Sequence, residues 1–107
     1  VNSYLGMKVT FMNQIYDSAK KQKLSPQRII NGICNDDRIG FAHSRVPGYD
    51  GKRGFGGACL PKDMSAITKF DEDLTLIAES VKINNKMREE YELDEREKSN
   101  NINFEDK

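Results

Sequence analysis

The clearest secondary-structure signal in the chain lies in residues 1–22, which read VNSYLGMKVTFMNQIYDSAKKQ. Apolar side chains recur there at spacings of three and four, which is the period of an amphipathic helix. They are Val1, Tyr4, Leu5, Phe11, Met12, Ile15, Tyr16 and Ala19. The pattern predicts a first helix over residues 2–22.

Three further helices are predicted downstream. Ser25 and Pro26 form a cap and first-turn pair that starts a second helix, which ends near Cys34. A third helix is expected over 61–69, and a fourth runs from the acidic cluster at 71–73 to about residue 96, because negative charge suits the positive end of a helix. Since no stretch shows the period-two alternation of a strand, the chain is predicted to be all-α.

Length and composition limit the possible functions. The 107 residues allow one domain, and 36% of them are hydrophobic, enough for a small core. No apolar run reaches the roughly 18–20 residues of a membrane span, and the first residues lack the order of a signal peptide, so a cytoplasmic location without membrane contact is expected. A formal net charge of zero argues against nucleic acid as a partner.

The end of the chain differs in charge from the rest. Residues 86–107 carry five Lys or Arg against eight Asp or Glu, with few large apolar side chains. We therefore expect a central helical domain over 1–90 and a polar acidic tail over 91–107 that frays or is disordered.

The two cysteines receive different interpretations. Cys34 shares an apolar helix face with Ile29, Ile30 and Ile33, which indicates a small core residue. A cytoplasmic chain keeps both thiols reduced. With His43 as the single histidine, two dispersed cysteines do not make a plausible zinc set, and no metal is expected.

Six of the eight glycines fall between Gly40 and Gly57, and a loop of this length is usually functional or disordered. The spacing excludes a Walker A loop at Gly51-Lys52 and a dinucleotide fingerprint starting at Gly54. The remaining interpretation is that the glycines at 54, 56 and 57 let bare backbone approach a ligand. Their peptide N–H groups would then be offered to an anionic oxygen.

Cys59 follows this glycine run and immediately precedes the expected helix start at Pro61, with Lys62 close by. A helix N-terminus and a nearby cation both favour the thiolate, which is the nucleophilic form of cysteine. A cysteine that only fills a gap at a helix start fits the same position. The residues alone leave these two interpretations open.

The stretch GFGGACLPKD at 54–63 resembles the active-site signature of the nucleotide-sugar dehydrogenases, the UDP-glucose and GDP-mannose dehydrogenase family. Other segments resemble the same family: NDDRIG at 35–40, VPGYDGKR at 46–53, the Asn2–Ile15 helix, and Val81 with Asn84. The resemblance covers residues 1 to about 90. It implies a small all-α dimerisation domain like the C-terminal domain of 6-phosphogluconate dehydrogenase, with a glycine-rich loop between helices.

The resemblance implies NAD-dependent oxidation of the C6 alcohol of a UDP-sugar to a carboxylate, through a thiohemiacetal and a thioester. Cys59 would be the nucleophile, Asp63 would assist water activation, and Asn2 would help to hold the reacting oxygen or a water. From the residues alone, Asp63 also fits a first-turn carboxylate that stabilises the third helix. The PGYDGKR version of the loop resembles the UDP-glucose branch most.

The remaining implied roles concern binding. Tyr49, Lys52, Phe55 and Gly56 would lie along the UDP-sugar, and Lys62 would sit near the cofactor side. Arg38 would reach the nucleotide sugar of the partner subunit across a dimer. As an alternative, Arg38 fits a surface ion pair with Asp36 or Asp37.

The family's Rossmann domain, its catalytic lysine and its C-terminal domain have no counterpart in these 107 residues, so the resemblance implies a chain that is inactive alone. A homodimer through helices 1 and 4 is expected, because the apolar surface of helix 1 exceeds what the short helices 2 and 3 can cover. Two other hypotheses stay open, a non-catalytic helical dimerisation or regulatory module and a redox-sensing thiol protein.

Overall fold

The computed structural model describes residues 1–104 and is all-α, without a strand among those residues. This confirms the predicted fold class. The helices are α1 (Asn2–Lys21), α2 (Pro26–Cys34), α3 (Cys59–Phe70), α4 (Thr75–Arg88) and α5 (Glu95–Ser99).

Helix α1 is the central element and packs against α2, α3 and α4. Gly6 lets α3 approach closely, because a Cβ at this position would overlap the thioether of the fully buried Met64. On the α4 side, the hydroxyl of Ser80 donates to Oγ1 of Thr10 at 3.0 Å, and both residues are buried. The orientation of α1 therefore fixes where the other helices start and end.

The hydrophobic core is small and lies between α1, α2 and the loop that follows α2. Its members are Met12, Ile30, Cys34 and Val46, with Ile15, Tyr16 and Ile33 packed around them. Cys34 is 2% exposed, which confirms its predicted core role. The predicted start of α2 is also confirmed, because the Ser25 hydroxyl accepts the Arg28 N–H at 3.4 Å and Pro26 opens the helix.

Two helix boundaries differ from the prediction. Helix α3 starts at Cys59 and not at Pro61, since proline is tolerated throughout a first turn, where N–H groups lack intrahelical partners. Helix α4 ends at Arg88 and not near residue 96, because a separate helix, α5, begins after Asp94. The acidic cluster at 71–73 precedes the N-cap of α4, Leu74, and does not occupy its first turn.

The segment 91–104 is folded where fraying was expected. Asp94 and Glu97 form a capping box, in which each accepts the backbone N–H of the other, at 2.8 and 2.9 Å. Glu97, Ile102 and Phe104 are buried. The expectation failed because it took the acidic side chains as solvated, whereas one of them, Glu97, is buried and forms an ion pair with Arg88. The part of the expectation that concerns 105–107 lies outside the described residues, and the domain division near residue 90 stays a prediction.

None of the helices within residues 1–104 combines the length and the apolar character that crossing a bilayer requires.

Candidate functional site

The loop between α2 and α3 is held in place by two buried asparagines. Asn84 of α4 binds both polar groups of one peptide residue, accepting the Phe55 N–H at 2.6 Å and donating to the Phe55 carbonyl at 2.9 Å. Asn13 of α1 accepts the Gly54 N–H at 3.2 Å and the Nε–H of Arg53 at 2.7 Å. The glycine-rich backbone is therefore positioned by side chains of two helices.

A buried charge cluster holds the same loop from the other side. Arg88 donates through Nη2 to the Gly54 carbonyl at 3.0 Å, and its Nη1 lies 3.0 Å from Asp50 and 3.7 Å from Glu97. Glu97 accepts the Gly57 N–H at 2.9 Å. Burial of the guanidinium is tolerated because two carboxylates surround it.

These contacts correct the expectation for two of the three glycines, Gly54 and Gly57. The N–H groups of Gly54, Phe55 and Gly57 are bound by protein oxygens and are not offered to an anionic ligand. Gly54 and Gly57 have φ of +77° and +79°, in the left-handed region that favours glycine. A Cβ on Gly54 would overlap Oδ1 of Asn84. Glycine is needed at position 54 because a protein side chain, and not a ligand, lies against it.

Cys59 is exposed and is the first residue of α3. The N-cap of this helix is Ala58, which supplies no side-chain hydrogen bond, so the positive end of the helix lies uncapped beside the sulfur. Asp63 follows one turn later on the same helix, at the spacing that brings side chains together. Its Oδ2 accepts from Asn2 at 2.7 Å, and its Oδ1 lies 3.6 Å from the Lys62 ammonium.

The fold brings two of the residues predicted to be catalytic, Asn2 and Asp63, into contact, and it places the third, Cys59, one turn before Asp63 on α3. The Asn2–Asp63 bond joins the first turn of α1 to the first two turns of α3, across 61 positions of sequence. Asp63 lies in the second turn of α3, because the helix starts at Cys59, so the alternative interpretation of Asp63 as a first-turn carboxylate is wrong. An exposed sulfur, a carboxylate and an amide at one helix start are groups suited to addition at a carbonyl and to water activation.

A cavity of about 560 Å³ opens beside this helix start. It is lined by three of the residues predicted to contact the sugar nucleotide, Tyr49, Phe55 and Gly56. Leu60, the neighbour of Cys59, lines it as well. Three arginines line it, namely Arg45, Arg88 and Arg96, but Arg88 is paired with Asp50 and Glu97, and Arg96 lies 3.9 Å from Asp94. The positive charge that the cavity offers to an anionic ligand is therefore mainly that of Arg45.

Two predicted binding residues do not line this cavity. Lys52 donates to the Glu92 carbonyl at 2.8 Å, on the side of the loop that faces the Tyr91 ring. Arg38 makes two side-chain hydrogen bonds to Asp36, at 3.0 and 2.8 Å, and its side chain is 88% exposed. These hydrogen bonds hold the pKa of Asp36 below its usual value. The ion pair proposed as the alternative for Arg38 is present, and contact with a partner subunit stays a prediction.

A second cavity, of about 420 Å³, runs between α1 and α4 and is mostly apolar. Tyr4, Phe11 and Leu76 line it and are exposed. This groove is the surface expected to form the homodimer.

No group of three or more His, Cys, Asp or Glu side chains in the part of the chain that the structure describes is arranged to hold a metal ion.

The fold and the site define a helical domain that presents an exposed cysteine at a helix start, beside a cavity lined by arginine and aromatic side chains. The model of the UDP-glucose/GDP-mannose dehydrogenase family, central domain, matches residues 1–88, and the chain belongs to this dehydrogenase family.

Curated relatives carry the name UDP-glucose 6-dehydrogenase. The one from Rhizobium meliloti (strain 1021) is 42% identical over 74 residues, which cover 67% of this chain and 15% of the relative. The one from Campylobacter jejuni is 45% identical over 62 residues, 58% of this chain and 14% of the relative. The one from Streptococcus pneumoniae is 35% identical over 92 residues, which cover 84% of this chain and 22% of the relative. The chain thus spans less than a quarter of each of these relatives, and no solved structure matches it.

Proposed function

We propose that this chain is the cysteine-bearing central part of an NAD-dependent UDP-glucose 6-dehydrogenase, an enzyme that converts the C6 alcohol of UDP-glucose to the carboxylate of UDP-glucuronate. The observation that carries the proposal is the exposed Cys59 at the uncapped start of α3, with Asp63 one turn away and bound to Asn2. The names of the similar proteins support the substrate.

In the first step that these residues perform, the Cys59 thiolate adds to the C6 aldehyde carbon. The carbonyl π electrons move to oxygen, which takes a proton and gives a thiohemiacetal. Cys59 stands at the positive end of α3. The amide of Asn2 lies at the same helix start and serves to hold the developing oxygen or the later water.

In the last step, water attacks the thioester carbon, the C–S bond breaks, and Cys59 leaves as the thiolate. Asp63 accepts the proton of the attacking water. Its hydrogen bond from Asn2 orients one oxygen, and the other oxygen lies 3.6 Å from the Lys62 ammonium.

The nucleotide is proposed to occupy the cavity beside Cys59. Phe55 and Tyr49 offer aromatic surface for the base or the sugar, and Gly56 gives backbone access. Arg45, whose guanidinium lies 4.7 Å from the Tyr49 ring centre, supplies charge for the diphosphate. Lys52 and, from a partner subunit, Arg38 are proposed as further contacts.

The described residues do not fit NAD by themselves. They contain no strand and no βαβ unit, and the only residue expected near the cofactor is Lys62, which is exposed and paired with Asp63. The hydride-transfer steps are therefore assigned to no residue of this chain. A cytoplasmic location and a homodimer through α1 and α4 are part of the proposal.

Substrate protection of Cys59 tests the proposal. The chain is alkylated with iodoacetamide, with or without millimolar UDP-glucose or its C6 aldehyde, and the labelled peptides are quantified by mass spectrometry. Both ligands should slow labelling of Cys59, and the aldehyde should slow it more because it forms the covalent adduct. Free glucose is the control ligand, and Cys59→Ser is the control variant. Equal labelling of Cys59 under all conditions would contradict the proposed function.

A further inference from the structure

The loop that leads into Cys59 is tied to a carboxylate beyond the matched family region. The family match ends at residue 88, and Glu97 lies nine positions later, on α5. Its side chain is 1% exposed, and both of its carboxylate oxygens accept hydrogen bonds. Oε1 accepts the Asp94 N–H at 2.9 Å, and Oε2 accepts the Gly57 N–H at 2.9 Å.

We propose that Glu97 is a positioning residue for Cys59, so that the segment following the matched region sets the geometry of the nucleophile. This rests on the proposed role of Cys59. Glu97 acts through Gly57 and not on the substrate, because it is buried behind the loop and its oxygens are occupied by backbone N–H groups.

The path from Glu97 to the sulfur is short. Gly57 has a φ of +79°, and the next residue, Ala58, is the N-cap of α3. Because Ala58 has no side-chain cap, nothing from its own side chain holds the first turn in place. The hydrogen bond from Gly57 to Glu97 thus orients the peptide from which the helix carrying Cys59 departs.

A carboxylate can be buried behind the loop because Arg88 neutralises its charge. Glu97 lies 3.7 Å from Nη1 of Arg88, and Arg88 also donates to the Gly54 carbonyl. The buried pair therefore binds the loop at two points: Glu97 accepts the Gly57 N–H, and Arg88 donates to the Gly54 carbonyl. Glutamine cannot replace Glu97 in full, because its single oxygen satisfies either Asp94 or Gly57 and leaves Arg88 with one carboxylate fewer.

The test compares two isosteric changes on one helix. Glu97→Gln removes the charge beside Arg88 and one of the two acceptor oxygens, and Glu95→Gln is the matched control, because the Glu95 side chain is 94% exposed and, within residues 1–104, is paired only with Lys98, at 4.0 Å. The readouts are the amide proton shift and hydrogen exchange of Gly57 by NMR, and the rate of iodoacetamide labelling of Cys59 at pH 7. Buried Cys34 reports global unfolding in the same samples, since it is labelled only when the core opens.

In Glu97→Gln, we expect the Gly57 amide proton to move upfield and to exchange about tenfold faster, the effect of losing a hydrogen bond to a charged acceptor. Labelling of Cys59 should slow about threefold, because the peptide before α3 is no longer held and the first turn, which carries the sulfur, loses its regular geometry. Glu95→Gln should match the wild type in every readout. If Cys34 becomes labelled in Glu97→Gln, the Glu97→Asp variant is measured instead. Aspartate keeps the charge beside Arg88 but is too short to reach both N–H groups.

Unchanged Gly57 and Cys59 readouts in the folded Glu97 variant would overturn the positioning role and leave the proposed function standing. Faster Gly57 exchange with unchanged Cys59 labelling would overturn it too, because Glu97 would then order the loop without affecting the nucleophile. A wild-type Cys59 that UDP-glucose does not protect would instead contradict the proposed function, while the comparison of the two glutamine variants would still decide the role of Glu97.

Discussion

Replacing Asn84 with alanine should destabilise the domain more than any comparable change on the same helix. Asn84 is fully buried, and its amide satisfies both the N–H and the carbonyl of Phe55, at 2.6 and 2.9 Å. Alanine removes both partners and leaves two buried backbone groups without hydrogen bonds.

The expected size follows from the cost of an unsatisfied buried group, about 1–3 kcal/mol each. Two such groups lower the free energy of unfolding by about 3 kcal/mol or more. For a domain of this length, about 4 °C of melting temperature corresponds to 1 kcal/mol, so Asn84→Ala should melt about 12 °C below the wild type. This is a large share of the ~5–15 kcal/mol that holds a typical domain folded.

Thermal and urea unfolding followed by circular dichroism at 222 nm measure this effect. Asn85→Ala is the matched control, because Asn85 is the next residue of α4 and its side chain makes no hydrogen bond among the described residues. The control should stay within about 0.5 kcal/mol of the wild type. If the two variants unfold within about 1 kcal/mol of each other, the account of how the loop is held is wrong.

Two further predictions concern the surface. Hydrogen bonds from the Arg38 side chain, and then from its backbone N–H, lower the pKa of Asp36 in the folded state. The ion pair therefore contributes to stability at pH values above the pKa of Asp36 in the unfolded chain, and this contribution is lost as the pH falls through the pKa of Asp36 in the folded state. Arg38→Gln should therefore raise the pKa of Asp36 toward its ordinary value in an NMR titration, and an unchanged titration would contradict this. Leu76→Asp places a charge on the apolar groove between α1 and α4 and should convert a wild-type dimer to a monomer in light scattering at high micromolar concentration. A monomeric wild type under these conditions would argue against the homodimer.

Local sequence signals were sufficient for the first half of the domain. The period of α1 and the Ser25-Pro26 start of α2 act within a few residues, so each can be seen without knowing the fold. The burial of Cys34 followed in the same way from the apolar face of a short helix. The placement of Cys59 at a helix start was also available, since it needs only the glycines before it and Pro61 after it.

The residues that hold the loop could not be found in this way. Asn13, Asn84 and Glu97 are polar and look like parts of solvated helix faces, and their partners lie 29–41 positions away along the chain. Of these residues, only Glu97 belongs to a recognisable sequence motif. An acidic cap, Asp94, followed three residues later by glutamate is typical of a capping box at a helix start. That spacing predicts the start of α5 but not the bond from Glu97 to Gly57.

The glycine loop is held by side chains that are distant in sequence, so the site forms late in folding. Its bonds to Asn13, Asn84, Arg88 and Glu97 span 29 to 41 positions, and contacts this remote form after local helices have met. A copy still emerging from the ribosome, or one that has partly come apart, carries Cys59 on unorganised backbone. The role proposed for Cys59 is therefore open only to a domain that has finished assembling.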